Sequence, residues 1–509
     1  MSWRTILRNI VSNWLGYIVS ILVAFFLAPV VVHRLGNTGY GIWTLILSLT
    51  GYFGLLDFGI RSTVGRFVAR YVSLSDTENV NRTVNTAIAM LACGGLLGLL
   101  ATVGLSFFLG SFKVEPQLQA AARAALLMAG LNVSLALPLG VFSGVLIALE
   151  RYDIVSRITI AGTLVQAALV VTLLKTGHGV VALAAIALLI NTSQYCAMAI
   201  WAKALFAPLK VGRRFVDFGN CKELFGFSIF RFIAIIANQL IFYTDTVVIG
   251  AFLGAGAITY YAIAGSLIEY GRHIVSLATD TLYPAATRLD SKDDIPGLRR
   301  LLIAGTRISL LLALPLCLGL MFFGKQFITL WMGKAYAVSA TYLLVLTIPQ
   351  FTSMSQYTSA LVLAGMARHR MLAYVAFGEG VANLALSIVL VRKIGIVGVA
   401  WGTVIPHLLS TAVIIPVYTL RTLRMGAWDY IEQAYLRPVL CAIPVVGLCY
   451  GLSHWIERPS WLLFGSEVAA VCGVFGLASY FICLNTGQQA SVMESVRRVF
   501  HREPVVNEA

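Results

Sequence analysis

Three polar side chains recur at seven-residue steps within the apolar stretch Ser228–Gly254: Arg231, Asn238 and Asp245. Seven residues is close to two helical turns, so on a helix they form one stripe. The stretch is long and apolar enough to cross a bilayer, and a charge at the centre of such a helix costs roughly 2.5–3.5 kcal/mol on insertion scales. The stripe is therefore expected to face protein or a water-filled cavity. Arg231 and Asp245 are about 21 Å apart along the axis, at ~1.5 Å per residue, so they cannot neutralise each other. Each needs a partner on another helix or a ligand. The cation suits an anionic group and the carboxyl suits proton or cation exchange; a structural polar pair inside a bundle is the plainer alternative.

A second polar face follows. Glu269, Arg272, His273, Ser276 and Asp280 fall at i, i+3, i+4, i+7 and i+11. Glu269 and Asp280 are candidates for an ion relay, unless Glu269 merely pairs with Arg272 or His273. Glu379, one turn before Asn383, is a further carboxyl near mid-membrane. The ion-coupling candidates are thus Asp245, Glu269, Asp280 and Glu379. The run Gln350–Thr358 is dense in hydroxyls and amides, Gln350 and Gln356 among them. Such groups can line an aqueous path, contact sugars, or simply hold helices together. Asp57 and Arg61 stand four residues apart, as in an interfacial pair. Arg61 with Arg66 could instead receive an anionic head group, because a guanidinium matches phosphate oxygens two at a time. His407, alone after Pro406, reads as a structural histidine.

The elements that carry these groups are membrane helices. The 509 residues are 59% hydrophobic and only 12% charged, with mean hydropathy +0.85; soluble domains carry about 25% charged residues. Apolar runs of 18 or more residues recur along the chain, and alternating ten-residue strands do not, so the fold class is an all-α polytopic membrane protein. About fourteen spans are expected, from 10–32 to 461–484; the fourth (122–149) and tenth (338–364) contain Pro138 and Pro349. Basic residues favour the termini and even-numbered loops over odd-numbered loops by about 26 to 9. Both termini are then cytoplasmic. That distribution also accounts for the net charge of +15 without nucleic acid. No loop exceeds about 25 residues, leaving no place for a soluble catalytic domain, and no phosphate-loop motif is present. The triplet Asp57-Phe58-Gly59 has no companion motifs and is coincidence. The eight cysteines are scattered without metal or redox spacing. No cofactor and no metal are expected.

Sliding the chain against itself by 218 positions exposes a repeat. Leu35-Gly36 falls on Leu253-Gly254, Arg70 on Arg288, Asp76 on Asp294, Arg82 on Arg300 and Lys175-Thr-Gly177 on Lys393-Ile-Gly395. Six spans separate equivalent elements, so the two halves share one orientation, a parallel repeat about the membrane normal. The expected divisions are a six-helix bundle at 1–203, a basic cytoplasmic linker at 204–223, a second bundle at 224–421, two extra helices at 422–486 and a cytoplasmic tail at 487–509. The linker reads as a solvated connector also drawn to anionic lipid. The offset carries Arg231 onto Asn13, Asn238 onto Ser20 and Asp245 onto Leu27, so the same face is charged only in the second half. The substrate-binding candidates are then Arg231, Asn238, Arg61, Arg66, Arg272, Asn13, Ser20, Gln350 and Gln356.

Three segments, Val32–Trp43, Leu56-Asp-Phe-Gly-Ile60 and Asp245–Ala262, resemble the polysaccharide flippases (Wzx, or polysaccharide transporter, family) of the multidrug/oligosaccharidyl-lipid/polysaccharide exporter superfamily. In the last segment an aspartate, a short apolar run, a Leu-Gly turn and a Tyr-x-x-Ala follow one another. The resemblance implies a V-shaped two-bundle transporter in the bacterial cytoplasmic membrane. It implies that a polyprenyl-pyrophosphate-linked oligosaccharide moves to the outer leaflet for O-antigen or exopolysaccharide synthesis, through a cationic cavity coupled to an ion gradient. Membrane lipid, the lipid-linked oligosaccharide and a glycan polymerase or chain-length regulator are the partners implied. Span 1, with Asn13 and Ser20 in place of a cation, departs from phosphate binding shared by both halves. The alternatives are a cation-coupled exporter of small cationic drugs on the same fold, a membrane glycan polymerase or acyltransferase, and a non-transporting scaffold.

Overall fold

The computed structural model describes residues 3–455, 460–483 and 489, and within them all side chains except those of 3–14, 17, 62, 218, 220–231, 233, 234, 454 and 455. Among the described residues there are helices and turns but no strand. In chain order the first nine α-helices are α1 (Trp3–Gly51), α2 (Ile60–Ser73), α3 (Thr77–Phe107), α4 (Pro116–Leu139), α5 (Val141–Ala148), α6 (Tyr152–Lys175), α7 (Val180–Leu205), α8 (Phe218–Leu253) and α9 (Ala255–Thr279). Then come α10 (Tyr283–Asp290), α11 (Ile295–Met332), α12 (Ser339–Thr347), α13 (Gln350–Ser355), α14 (Tyr357–Gly365) and α15 (His369–Leu408). The last are α16 (Ile415–Thr422), α17 (Ala427–Tyr430), α18 (Arg437–Trp455) and α19 (Trp461–Ile482).

Among the described residues ten stretches are long and apolar enough to cross a membrane, which makes the chain a multi-pass membrane protein. The difference from about fourteen has a local cause at each place. Ile18–Asp57 and His369–Thr422 are single runs of 40 and 54 residues, but each is broken, at Gly36 (φ 69°) and at Ile394–Gly395 (φ −133° and 62°). Each is therefore two crossings joined by a glycine corner. The eighth crossing, α9, is continuous for 25 residues but diluted by its own polar face. The tenth is cut into α12, α13 and α14 around Pro349 and Gln356. Proline lacks the N–H that would continue the ladder, and a run of hydroxyls offers the freed carbonyls local partners.

The backbone carries the 218-residue repeat more plainly than the side chains do. Positive φ occurs at Gly36 and Gly254, at Ser75 and Asp293, and at Gly177 and Gly395, each pair in that register. Just after the second pair, Asp76 and Asp294 cap α3 and α11 by accepting from the backbone N–H of Asn79 and Gly297 at 3.1 and 2.8 Å. The Asn79 backbone N–H, and then its side chain, hold the Asp76 carboxyl below the usual carboxylate range.

The chain packs as two compact units. One comprises Met1–Ser266 with Arg370–Pro406, the other Leu267–His369 with His407–Ala509. In the first, Ile60, Val64, Val84, Leu91, Val141 and Leu146 form one apolar core, and Ile42, Ile46, Ala125 and Leu126 a second. In the other, Leu310, Phe323, Val445 and Phe475 pack together. Lipid tails are as apolar as these side chains, so close approach and hydrogen bonds decide which helices associate. At Gly95 a Cβ would lie 2.4 Å from the Ser134 carbonyl oxygen, and at Gly41 1.8 Å from that of Ala255. Any larger residue there would push α3 from α4, or α1 from α9.

The basic linker is fastened to α3. Asn81 accepts from the Lys210 N–H at 2.8 Å and donates to the Pro208 carbonyl at 3.1 Å. One turn on, Asn85 accepts from the Gly212 N–H at 2.8 Å and donates to the Lys210 carbonyl at 2.7 Å. Thr86 accepts from the Asp217 N–H at 3.0 Å, and Leu209 is buried in the core between these anchors. The second half does the same with different chemistry. Arg299, at the position equivalent to Asn81, donates to the Leu423 and Arg424 carbonyls at 2.8 and 2.6 Å.

Candidate functional site

Asp245 lies eight residues before the end of α8 and is buried, at 4% exposure. Three hydroxyls from other crossings meet its carboxyl. Tyr261 of α9 donates to Oδ2; Thr403 of α15 donates to the same oxygen at 2.6 Å. Ser387, also on α15 but before the corner at Gly395, stands 3.5 Å from Oδ1. Asn383 supports the group, donating its amide to Thr403 Oγ1 at 3.1 Å. The corner at Gly395 brings Ser387 and Thr403 together from antiparallel arms, and Gly402 lets the arms touch: a Cβ there would lie 2.4 Å from Ser387 Oγ.

Acceptors crowd this cluster. Ser387 has one hydroxyl proton and three oxygens at 3.4–3.5 Å, those of Asp245, Asn383 and the Val399 carbonyl. All three distances are long for an O–H donor. A carboxylate among carbonyl, amide and hydroxyl oxygens can hold a proton or a small hard cation, because either would add the positive charge these oxygens lack. Among the described residues no group of three or more His, Cys, Asp or Glu could hold a metal through those side chains alone.

In the second unit Glu269 meets both neighbours named by the sequence. Its Oε2 lies 3.5 Å from an Arg272 guanidinium nitrogen and its Oε1 lies 3.1 Å from His273 Nε2. Arg272 also donates to the Tyr357 hydroxyl at 3.1 Å. All three side chains are a quarter to two-fifths exposed, so water screens them and the pairing contributes little to stability. Asp280, at the far end of this face, is exposed in the turn that ends α9. Arg61 bonds Asp57 at 3.0 Å, while Arg66, one turn further, is exposed.

The remaining candidates divide by surroundings. Ser20 donates to the Gly16 carbonyl of its own helix at 2.9 Å. Asn238 is exposed and Glu379 half-buried. Gln350 and Gln356 are buried. Gln356 donates to the Tyr435 hydroxyl at 2.7 Å and accepts from Ser359 at 2.6 Å. Gln350 donates to the Leu346 carbonyl at 3.3 Å and leaves its Oε1 without a partner. The side chains of Arg231 and Asn13 lie outside those described, although both residues are on helices, α8 and α1. Sequence reasoning did not identify Tyr261, Ser387 and Thr403. Tyr261 stands inside the quoted Asp245–Ala262 segment, which was its signal; a lone serine and threonine in apolar helices gave none.

The chain is 22% identical over 504 residues to an uncharacterized membrane protein, EpsK, of Bacillus subtilis (strain 168), covering 96% of this chain and 98% of the relative. It is 22% identical over 420 residues to a putative O-antigen transporter of Shigella flexneri, covering 82% and 98%. Among solved structures, an inward-facing multidrug resistance transporter of the MATE family, in the MOP superfamily, aligns with TM-score 0.71 at 13% identity, over 79% of this chain and 94% of that one. The lipid II flippase MurJ, in an inward closed conformation, aligns with TM-score 0.70 at 14% identity, over 94% and 98%. These likenesses show the fold expected from the sequence. A family model described as polysaccharide biosynthesis protein matches residues 6–290, more than half of the chain, and the chain belongs to that family.

Proposed function

We propose that this protein is a flippase that carries a polyprenyl-pyrophosphate-linked oligosaccharide across the bacterial cytoplasmic membrane, for synthesis of a surface polysaccharide. The observation that carries the reading is Asp245: a carboxyl within a helix long and apolar enough to cross a membrane, bound by hydroxyls from two further helices, in a chain of a polysaccharide biosynthesis family. The names of two relatives, "Putative O-antigen transporter" and, in Haloferax volcanii, "Probable low-salt glycan biosynthesis flippase", point the same way.

In this reading Asp245 exchanges a proton or monovalent cation as the protein alternates between leaflets, with Glu269, Asp280 and Glu379 as further ion-coupling groups. Arg231 and Arg272 compensate the diphosphate inside the membrane, and Arg61 and Arg66 receive it at the cytoplasmic mouth, since guanidinium binds phosphate oxygens bidentately. Asn238, Asn13, Ser20, Gln350 and Gln356 offer hydrogen bonds to the sugars. The two six-helix repeats at 1–203 and 224–421 give access to the two leaflets in turn, and both termini lie in the cytoplasm. A glycan polymerase or chain-length regulator takes the product at the outer face.

The test is complementation of a flippase-null strain. Wild type restores surface polymer and clears the accumulated lipid-linked glycan; Arg231→Ala and Asp245→Asn reach normal protein level and do neither. Wild-type polymer with both variants would refute the site. Dye export by the wild type, without clearance of any lipid-linked glycan, would establish the drug-exporter alternative.

A further inference from the structure

The fastened linker encloses a cavity of about 880 Å³ at the end of α7. Its apolar wall includes Phe142 and Ile200, and its rim carries Lys203, Lys210, Arg213 and Arg214. All four cations are exposed, and among the described residues no carboxylate lies within ion-pair distance of any of them. The anchors at Asn81, Asn85 and Thr86 fix the backbone that bears three of them, so their spacing is set before anything binds. Ile200 is 69% exposed on a membrane-crossing helix, one turn before Lys203.

We propose that this cavity seats an anionic phospholipid of the surrounding leaflet, its phosphate among the four cations and its glycerol and upper acyl carbons along Phe142 and Ile200. Charge complementarity selects a phosphate. The exposed Ile200 side chain at the end of a crossing selects one attached to hydrocarbon, because a water-soluble anion would leave it wet. A resident lipid is favoured over the transported diphosphate because the cations lie on the linker and the last turn of α7, and none of them on α8 or α9, the helices that carry the polar stripes. The inference does not depend on what the protein transports.

The test uses the full chain purified from cells and measures retained lipid by native mass spectrometry, with phosphatidylglycerol and phosphatidylethanolamine as the probes. Wild type retains phosphatidylglycerol preferentially. The variant K203Q/K210Q/R213Q/R214Q loses that preference, by on the order of fivefold for each cation removed. A control, R70Q/R288Q/K292Q/R300Q, removes the same charge from other exposed positions and keeps it. If the fourfold variant does not fold, R213Q/R214Q leaves α7 untouched and carries the same expectation at reduced size. Equal loss in the control, or no preference in the wild type, would overturn the site. Displacement of phosphatidylglycerol by undecaprenyl diphosphate at stoichiometric amounts would overturn the identity of the occupant.

Discussion

The two repeats place different chemistry at matching positions. In the second, Asp245, Tyr261, Asn383, Ser387 and Thr403 form a hydrogen-bonded cluster. Shifted back by 218, these positions are Leu27, Trp43, Val165, Leu169 and Ala185. Leu27, Trp43 and Leu169 pack there against the apolar core of Val31, Val170 and Leu174. The glycine corners that aim these helices, Gly36 with Gly254 and Gly177 with Gly395, are the same in both. At these positions one backbone frame thus supports two ways of joining helices, by apolar contact in the first repeat and by directed bonds in the second. Contact alone satisfies packing between membrane helices. A carboxyl with surplus acceptors is more than packing requires, and the ion-coupling proposal rests there.

Substitutions that exchange the two repeats test this most directly. Asp245→Leu, which imports the residue of the first repeat, is expected to abolish glycan export in the complementation assay. It also leaves the Tyr261 hydroxyl without its acceptor, at about 1–3 kcal/mol, while Thr403 can turn to the Val399 carbonyl at 3.2 Å. Undiminished export would mean that the cluster only holds helices together. The reverse exchange, Leu27→Asp, places a carboxylate where no hydroxyl cluster waits. Roughly 2.5–3.5 kcal/mol of insertion cost should appear as reduced protein level on a membrane immunoblot, with no gain of function.

Smaller effects separate the bonds within the cluster. Thr403→Val removes one donor at nearly constant volume. A loss of about 0.6–1.7 kcal/mol is expected in thermal unfolding of the detergent-solubilised protein, together with a displaced pH dependence of export. An unmoved pH profile would leave Thr403 a purely structural bond. Glu269→Gln breaks a pair that is already wet, so stability should change by less than about 1 kcal/mol. A large loss of export at unchanged stability would then reassign Glu269 from surface pairing to transport.

The sequence made some of this legible and hid the rest for physical reasons. Charged and glycine positions held one offset because corners and caps tolerate few residue types, and Asp76 with Asp294 kept identical roles. Asp245 stood out because a carboxylate in hydrocarbon demands explanation. Its partners did not, being 16, 142 and 158 residues away in helices where a single hydroxyl is ordinary. The polar run at Gln350–Thr358 supported two readings equally, and only Tyr435, some 80 residues on, shows what binds Ser355 and Gln356. Asn81 and Asn85 gave no signal, since their partners are backbone groups some 125–129 residues on, and the linker they fasten read as a solvated connector.

That fastening decides where the chain can be cut. The last helix of the first repeat ends at Leu205, yet Leu209 belongs to the core of that repeat and Asp217 supplies its final anchor. An amino-terminal fragment ending at 205 would expose the amides of Asn81 and Asn85 and open a hole where Leu209 sat. One ending after Asp217 would keep the clasp that closes the first repeat.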